Sequence, residues 1–420
     1  MSYLENLLQG AEVEWKTLGE ISEIYGGLTG KSKADFENGN AKYISYKNIF
    51  FNHDVNYDIL ELVKISDSEN QHSVKYGDVI FTGSSESVEE VGMSSAVTTY
   101  YEESVYLNSF SFGIRFHEDI QLIPEFSKYL FRSSFMRAEI SKTASGVTRY
   151  NVSKTRFKKL QIPIPCPDNP KKSLEIQKEI VRILDTFTEL TAELTAELTA
   201  RKKQYIYYRE NLLSFDEKKV EHLPMGDSSL GDFQRGKRFV KDDLISEGVP
   251  CIHYGEMYTH YGTWANKSKS FLSEELVENK NLRIAEKGDV VIVAAGETIE
   301  DIGKGTAWLG NEGVVIHDAC FSYRSSLNPK YVAYFTRTKQ FHDQIKKYIS
   351  SGKISAINSR GLEKVLIPVP SPEEQARIVS ILDKFDTLTT SISEGLPKEI
   401  VLRKKQYEHY RDLLLAFPKE

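Results

Sequence analysis

The chain is predicted to be an α/β (α+β) protein: two globular domains in tandem, separated by long coiled-coil helices that pair with each other, the whole an internal pseudo-twofold repeat. Three observations predict it. An uninterrupted amphipathic stretch runs from Leu174 to Phe215, a second copy of it lies near the C-terminus, and the segments ahead of the two copies share short landmarks in the same order.

The long stretch places apolar residues at Ile176, Ile180, Ile183, Phe187, Leu190 and Leu194, the alternating steps of four and three that make a coiled-coil seam. Leu194 to Leu198 repeats a step of four, so the tandem TAEL unit acts as a stutter. The seam resumes through Arg201, Tyr205, Tyr208, Leu212 and Phe215, with no Gly or Pro inside. A helix of this length is a rod of roughly 60 Å. Near the C-terminus, Ile183-Leu184-Asp185 and Phe187 are matched by Ile381-Leu382-Asp383 and Phe385, Arg201 to Tyr205 by Arg403 to Tyr407, and Leu212-Leu213 by Leu414-Leu415. Gly395 and Pro397 interrupt the second copy, so a kink or break is expected there. Duplicated rods are expected to pair with each other.

The globular stretches run from Trp15 to Pro170 and from Val220 to Pro370. Leu18-Gly19-Glu20-Ile21 answers Leu230-Gly231-Asp232-Phe233, Tyr43 to Tyr46 answers Cys251 to Tyr254, Gly77-Asp78-Val79-Ile80 answers Gly288-Asp289-Val290-Val291, and Ile162 to Pro165 answers Ile367 to Pro370. Between landmarks the sequences diverge, so the scaffold is shared and the surfaces are not. Short β-branched and aromatic runs bounded by Gly, Asp or Ser, such as AKYISYKNIFF, DVIFTG and VVIVAAG, predict strands. One helix is expected in each globule, over Ile123–Ile140 and Pro329–Tyr348, followed by a glycine-bearing polar loop. A proline-rich IPIP or IPVP turn is expected to break the chain before each rod. The boundaries are 1–170, 171–216, 217–370 and 371–420.

At 420 residues the chain is long enough for two or more cores, and its net charge of −6 argues against a uniformly basic binder of polyanions. A local basic face remains compatible with that charge. Cys166, Cys251 and Cys320 have no paired spacing, which suits a reducing cytoplasm. The opening residues lack the apolar stretch of a signal peptide, and no apolar run approaches the ~18 residues of a membrane span.

Catalytic motifs are missing. Gly26 to Ser32 resembles a phosphate-binding loop, but Tyr25 stands where the first glycine belongs, so the segment reads as a turn that presents Lys31. Cys251-x-His253 and His317-x-x-Cys320 sit in apolar runs and read as core rather than zinc half-sites. The Gly-Asp pairs at 77–78 and 288–289 read as strand-opening turns. There is no nucleophile elbow, no dinucleotide fingerprint and no aminomethyltransferase motif. The loops are better ligand candidates. Between Ser141 and Leu160 lie six basic residues and no acid, with Arg149 beside Tyr150 and Asn151; Lys346, Lys347, Lys353 and Arg360 occupy the corresponding stretch of the second globule. Lys and Arg position phosphates, while Arg, Asn, Gln and Ser also read base edges; the plainer alternative is a solvated basic face.

The ILD-x-F…TAELTAEL…RKKQY helix, the IPIPCPDNP approach and the EWKTLGEI opening resemble the specificity (S) subunit of a type I restriction-modification enzyme, in the branch whose central helix carries TAEL repeats. The resemblance covers essentially the whole chain. It implies two target-recognition domains, each reading half of a bipartite, asymmetric site in double-stranded DNA, with the rods packed as an antiparallel coiled coil that sets the spacer. It also implies two modification (methyltransferase) subunits and two restriction (translocase/endonuclease) subunits as partners, no membrane, a cytoplasmic location, and no catalysis or metal in this chain. S-adenosylmethionine, ATP and Mg are then expected on the partner subunits. The nominated DNA-binding residues are Lys31, Tyr46, Lys47, Asn48, Thr148, Arg149 and Tyr150 in the first half, and Arg235, Lys237, His253, Tyr254, Lys353, Ser355 and Arg360 in the second. For subunit docking they are Gln177, Phe187, Tyr205, Gln375, Phe385 and Tyr407. Two rivals are a coiled-coil adaptor and the recognition module of a stand-alone adenine methyltransferase. The missing donor-binding motifs disfavour the methyltransferase, and the two unlike globules disfavour the adaptor.

Overall fold

The computed structural model describes residues 3–350, 352 and 354–419. The chain forms two compact units, residues 1–194 with 400–420, and residues 195–399. Each unit holds one globule and parts of both rods.

In the first unit an antiparallel sheet runs in the order Ser22–Gly26, Ser111–Phe116, Val79–Thr82, Ser94–Ala96. A second sheet runs Glu61–Val63, Ala41–Ile44, Val105–Leu107, Ser73–Val74, with its middle pair parallel. The period of two along Val79–Thr82 explains the layering. Val79 and Phe81 face a core that includes the helices Pro124–Leu130 and Ser134–Lys142, whereas Ile80 faces a core built with Ile44, Val105 and Leu107 of the second sheet. Phe81 lies 4.9–5.3 Å from the rings of Phe112, Phe131 and Phe157.

The second unit repeats this plan. Its first sheet runs Gly231–Arg235, Cys320–Ser325, Val290–Val293, Gly305–Trp308, Trp264–Ala265, and its second Ser270–Leu272, Val249–Ile252, Val314–Ile316, Ile284–Ala285. Val290 and Ile292 face one core and Val291 and Val293 the other. The Gly-Asp landmarks are turns. Gly77 and Gly288 have φ of +88° and +96°, and Asp78 and Asp289, both buried, each hold an arginine through paired bonds, Arg115 at 2.7–2.8 Å and Arg324 at 2.8–2.9 Å.

The central helix is continuous over Pro170–Leu212. The second rod is two helices, Pro372–Thr390 and Gly395–Leu414, with the break at 391–394, so the interruption expected at Gly395-Pro397 is present. In the first unit Ile176, Ile180, Val181 and Leu184 share a core with Leu414 and Leu415, and Phe187 stacks on Tyr410 at 5.2 Å. In the second, Tyr205 and Tyr208 stack on Phe385 at 6.3 and 5.3 Å. Later residues of one rod thus go with earlier residues of the other, as antiparallel pairing requires.

Three expectations change. The helices expected over Ile123–Ile140 and Pro329–Tyr348 are each split in two, because Ser133 and Thr338 turn the chain and cap the second helices, accepting from Met136 N and Phe341 N. The IPIP and IPVP segments are strands, Gln161–Pro165 paired with Val13–Thr17 and Leu366–Pro368 with His222–Pro224. A two-stranded ladder tolerates proline because the missing N–H falls on its open edge. AKYISYKNIFF is a strand only to Ile44; Tyr46–Phe51 is a helix.

Candidate nucleic-acid interface

In the first unit, the residues that could meet a ligand gather where three segments converge. The short strand Ser84–Ser85 pairs with Tyr150–Val152, which itself pairs with Ala144–Ser145 as a hairpin. The hairpin tip needs Gly146: its φ is +150°, and a Cβ there would sit 1.9 Å from the Arg149 carbonyl oxygen. That pairing brings Thr148 and Arg149 beside Ser84. Helix Tyr46–Phe51 completes the place, its Tyr46 hydroxyl donating to the Ser84 carbonyl at 2.9 Å. The result is a cleft of about 560 Å³ lined by Tyr46, Lys47, Phe50, Phe51, Ser84, Ser85, Glu86, Glu90, Phe110, Thr148 and Arg149. Phe51 and Phe110 are 73% and 62% exposed, so the cleft has aromatic lips. The Arg149 guanidinium donates through Nε and Nη2 to Ser84 Oγ at 3.2 and 2.9 Å and lies 5.7 Å from the Phe110 ring centre.

The second unit has a cleft of about 840 Å³ at the corresponding place. Ala295–Gly296 pairs with Ser355–Ala356 as Ser84–Ser85 pairs with Tyr150–Asn151. Its lining differs: Arg238, Lys241, His253, Tyr254, Glu297, His317, Asp318 and Ile354 are among its residues. His253, Tyr254 and His317 cluster with ring centres 4.6–5.1 Å apart, and Phe239 abuts both histidines. Burial lowers the proton affinity of both imidazoles below the ordinary histidine range. His253 Nδ1 accepts the Gly255 N–H at 3.3 Å, and His317 Nδ1 lies 3.1 Å from the Ala319 nitrogen and 2.9 Å from Asp318 Oδ1.

The structure therefore brings together Tyr46, Lys47, Thr148 and Arg149 in one cleft, and His253 and Tyr254 in the other. Tyr150 lies in the adjoining strand. The other nominated residues lie elsewhere. Lys31 is not presented to a ligand: its side chain is 5% exposed, and its ammonium is held by Glu69 at 2.5 Å and the Lys64 carbonyl at 2.6 Å. Asn48 is fully buried, with its amide bonded to the backbone of Asn56. Ser355 is buried in its strand, and Lys237 reaches the Lys280 carbonyl at 3.3 Å. Arg235 is exposed and donates to the Asp318 carbonyl at the cleft's edge; Arg360 is exposed on the helix Ser359–Glu363, away from the cleft lining. Lys353 lies outside the described residues. Sequence reading missed Ser84, Phe51, Phe110, Arg238, Lys241 and His317 as cleft residues. Cys251 and Cys320 are indeed core, their thiols pushed up to about 12 by burial. Among the described residues no cluster could hold a metal.

The docking nominations also look inward. Gln177 and Gln375 are buried and spend their amides on the globules: Gln177 accepts from Ile123 N and donates to the Gln121 carbonyl, and Gln375 accepts from Asn328 N and donates to the Pro370 carbonyl. Tyr205, Phe385, Phe187 and Tyr407 pack within their units. Asp185 and Asp383 of the repeated motif do the same work, accepting from Tyr129 at 2.5 Å and Tyr334 at 2.7 Å. The exposed apolar residues of the rods are others, Ile206, Tyr207, Val401, Leu402 and Leu413 among them.

Residues 11–201 and 225–402 match the family described as the type I restriction modification DNA specificity domain. The chain is 35% identical to the type I restriction enzyme EcoR124I/EcoR124II specificity subunit of Escherichia coli, across 100% of this chain and 98% of that one. It is 29% identical to the EcoprrI specificity subunit of Escherichia coli, across 94% and 92%. Among solved structures, a chain from work on the assembly and conformational transition of the type I R-M system aligns with a TM-score of 0.65 at 18% identity, covering 96% of this chain and 97% of that one. The HsdS subunit of Thermoanaerobacter tengcongensis aligns at 0.52 and 16%, covering 96% and 95%. These structural likenesses concern the fold.

Proposed function

The chain belongs to the type I restriction-modification DNA specificity family and is a specificity subunit with two target-recognition domains, and from that premise we propose that each domain reads one half of a bipartite, asymmetric DNA site. One observation carries this reading: the same fold occurs twice, with a cleft at the same place and a different lining in each. A molecule that reads two unlike half-sites requires that combination. The basic loop residues beside the first cleft supply phosphate contacts, and the cleft side chains supply base contacts.

The rods set the spacer between the half-sites and dock two modification subunits, for which the exposed Ile206, Tyr207, Val401 and Leu402 are better candidates than the buried glutamines. Two restriction subunits complete the nuclease. The chain catalyses nothing itself; S-adenosylmethionine, ATP and Mg belong to the partners. Three buried free cysteines support residence in the reducing cytoplasm, and no helix among the described residues is long and apolar enough to cross a membrane.

The test is sequencing of modified bases in cells that express the chain with its modification subunits. Methylated adenine at a two-part motif with a fixed spacer is the expected result. A stable complex that leaves DNA unmodified at any such motif would return the coiled-coil adaptor to consideration.

A further inference from the structure

Building on that DNA-reading role, we propose that Arg149 reads a guanine in the half-site bound by the first unit, donating two parallel hydrogen bonds to its O6 and N7. A guanidinium has five N–H donors in a rigid plane. The Nε side of Arg149 is occupied, with Nε and Nη2 both bonded to Ser84 Oγ. What remains is the outer edge, one N–H from each Nη, side by side. That edge matches two adjacent acceptors, and in the major groove guanine alone offers such a pair. Ser84 is buried and its backbone is clamped by the Tyr46 hydroxyl and by the strand pairing, so the anchor is fixed before DNA arrives. Phe110 beneath the guanidinium removes a further degree of freedom.

A phosphate also accepts a paired guanidinium, so the surroundings decide. Glu86 and Glu90 line the same cleft and are exposed. Two carboxylates beside a phosphate repel it. Beside a base pair they are compatible, because a carboxylate accepts from the cytosine amino group across from the guanine. In the second unit the residue preceding the paired strand is Ile354, 63% exposed, so the position of Arg149 carries no guanidinium there.

The test expresses full-length wild type, R149A, R149K and S84A with the modification subunits and compares the methylated motifs. Wild type is expected to require guanine at one position of one half-site. R149A is expected to lose that requirement by about 10- to 100-fold at that position only, with the other half-site unchanged. R149K keeps the charge and its ammonium still reaches O6 or N7, but without the planar fork held by Ser84, so it is expected to keep guanine with a reduced preference at that position. S84A is expected to keep the guanine with weakened preference, as befits a positioning residue. A uniform drop in methylation with every base requirement intact, in either Arg149 variant, would mark a phosphate contact and overturn the proposal. Should R149A modify no DNA, R149K decides: discrimination reduced at that one position supports the proposal, and a uniform drop with discrimination unchanged overturns it. A wild-type complex that methylates no bipartite motif refutes the DNA-reading role itself, a different failure from an unaltered motif.

Discussion

At the scale of single residues, the side chains that look most like binding groups in the sequence are often the ones that hold the protein together. Gln177 and Gln375 illustrate this, each satisfying a backbone N–H at the start of a globule's helical segment. Gln177→Ala and Gln375→Ala are each expected to cost about 1–3 kcal/mol by leaving that N–H buried and unpaired, measured by denaturant unfolding. No change in stability would show that the glutamines are free for other work. His53 gives a pH signature. It packs against Tyr129 and Tyr407, and burial, reinforced by the charges of Arg132, Lys128 and Arg411, lowers its pKa to about 4. Between about 6.5 and 4 the unfolded chain takes up a proton that the folded chain refuses, so stability falls as pH drops through that window and is unaffected by this group above it. His53→Gln is expected to lose less melting temperature than wild type between about pH 7 and pH 4.5. An equal loss in both would assign the acid sensitivity elsewhere.

At the scale of elements, the rods were legible because a 3.5-residue seam and repeated ILD-x-F and RKKQY blocks are strong signals over this length. The stretch read as Leu174–Phe215 is the helix Pro170–Leu212, and the expected break of the second copy is there. The globules were less legible, since their short runs hide switches of conformation; nothing in YKNIFF announces a helix after a strand, and the Pro-rich strands read as turns because edge placement is a tertiary fact. The Thr195–Leu198 unit lies inside the central helix, where its leucine is only half-buried. Its four residues account for roughly 6 Å of helix, close to one or two base pairs. Deleting it is expected to shorten the non-specific spacer while both half-sites keep their bases, as read from methylated motifs. Altered half-site bases would sink the ruler role.

At the scale of the whole molecule, the fold repeats while the chemistry of reading does not. The clefts were half-legible: the glycine-bearing loop singled out Arg149 and the repeated landmark held Tyr46 and Tyr254, but Ser84 and His317 owe their places to strand register, which no local pattern reveals. Each cleft being complete within its own unit, His317→Ala is expected to change base preference in one half-site by about 10-fold or more and to leave the half read with Arg149 untouched. A change in both would show that the clefts act jointly. The first cleft draws on segments near residues 46–51, 84–90, 110 and 148–149. A gene exchange with its crossover inside that span would splice two incompatible readers. Arg201 to Tyr205 and Arg403 to Tyr407, by contrast, are the same five letters and lie in helices outside either cleft's lining. They are natural seams for recombination, where a lineage can trade one intact half of its recognition sequence and inherit a new target in a single event.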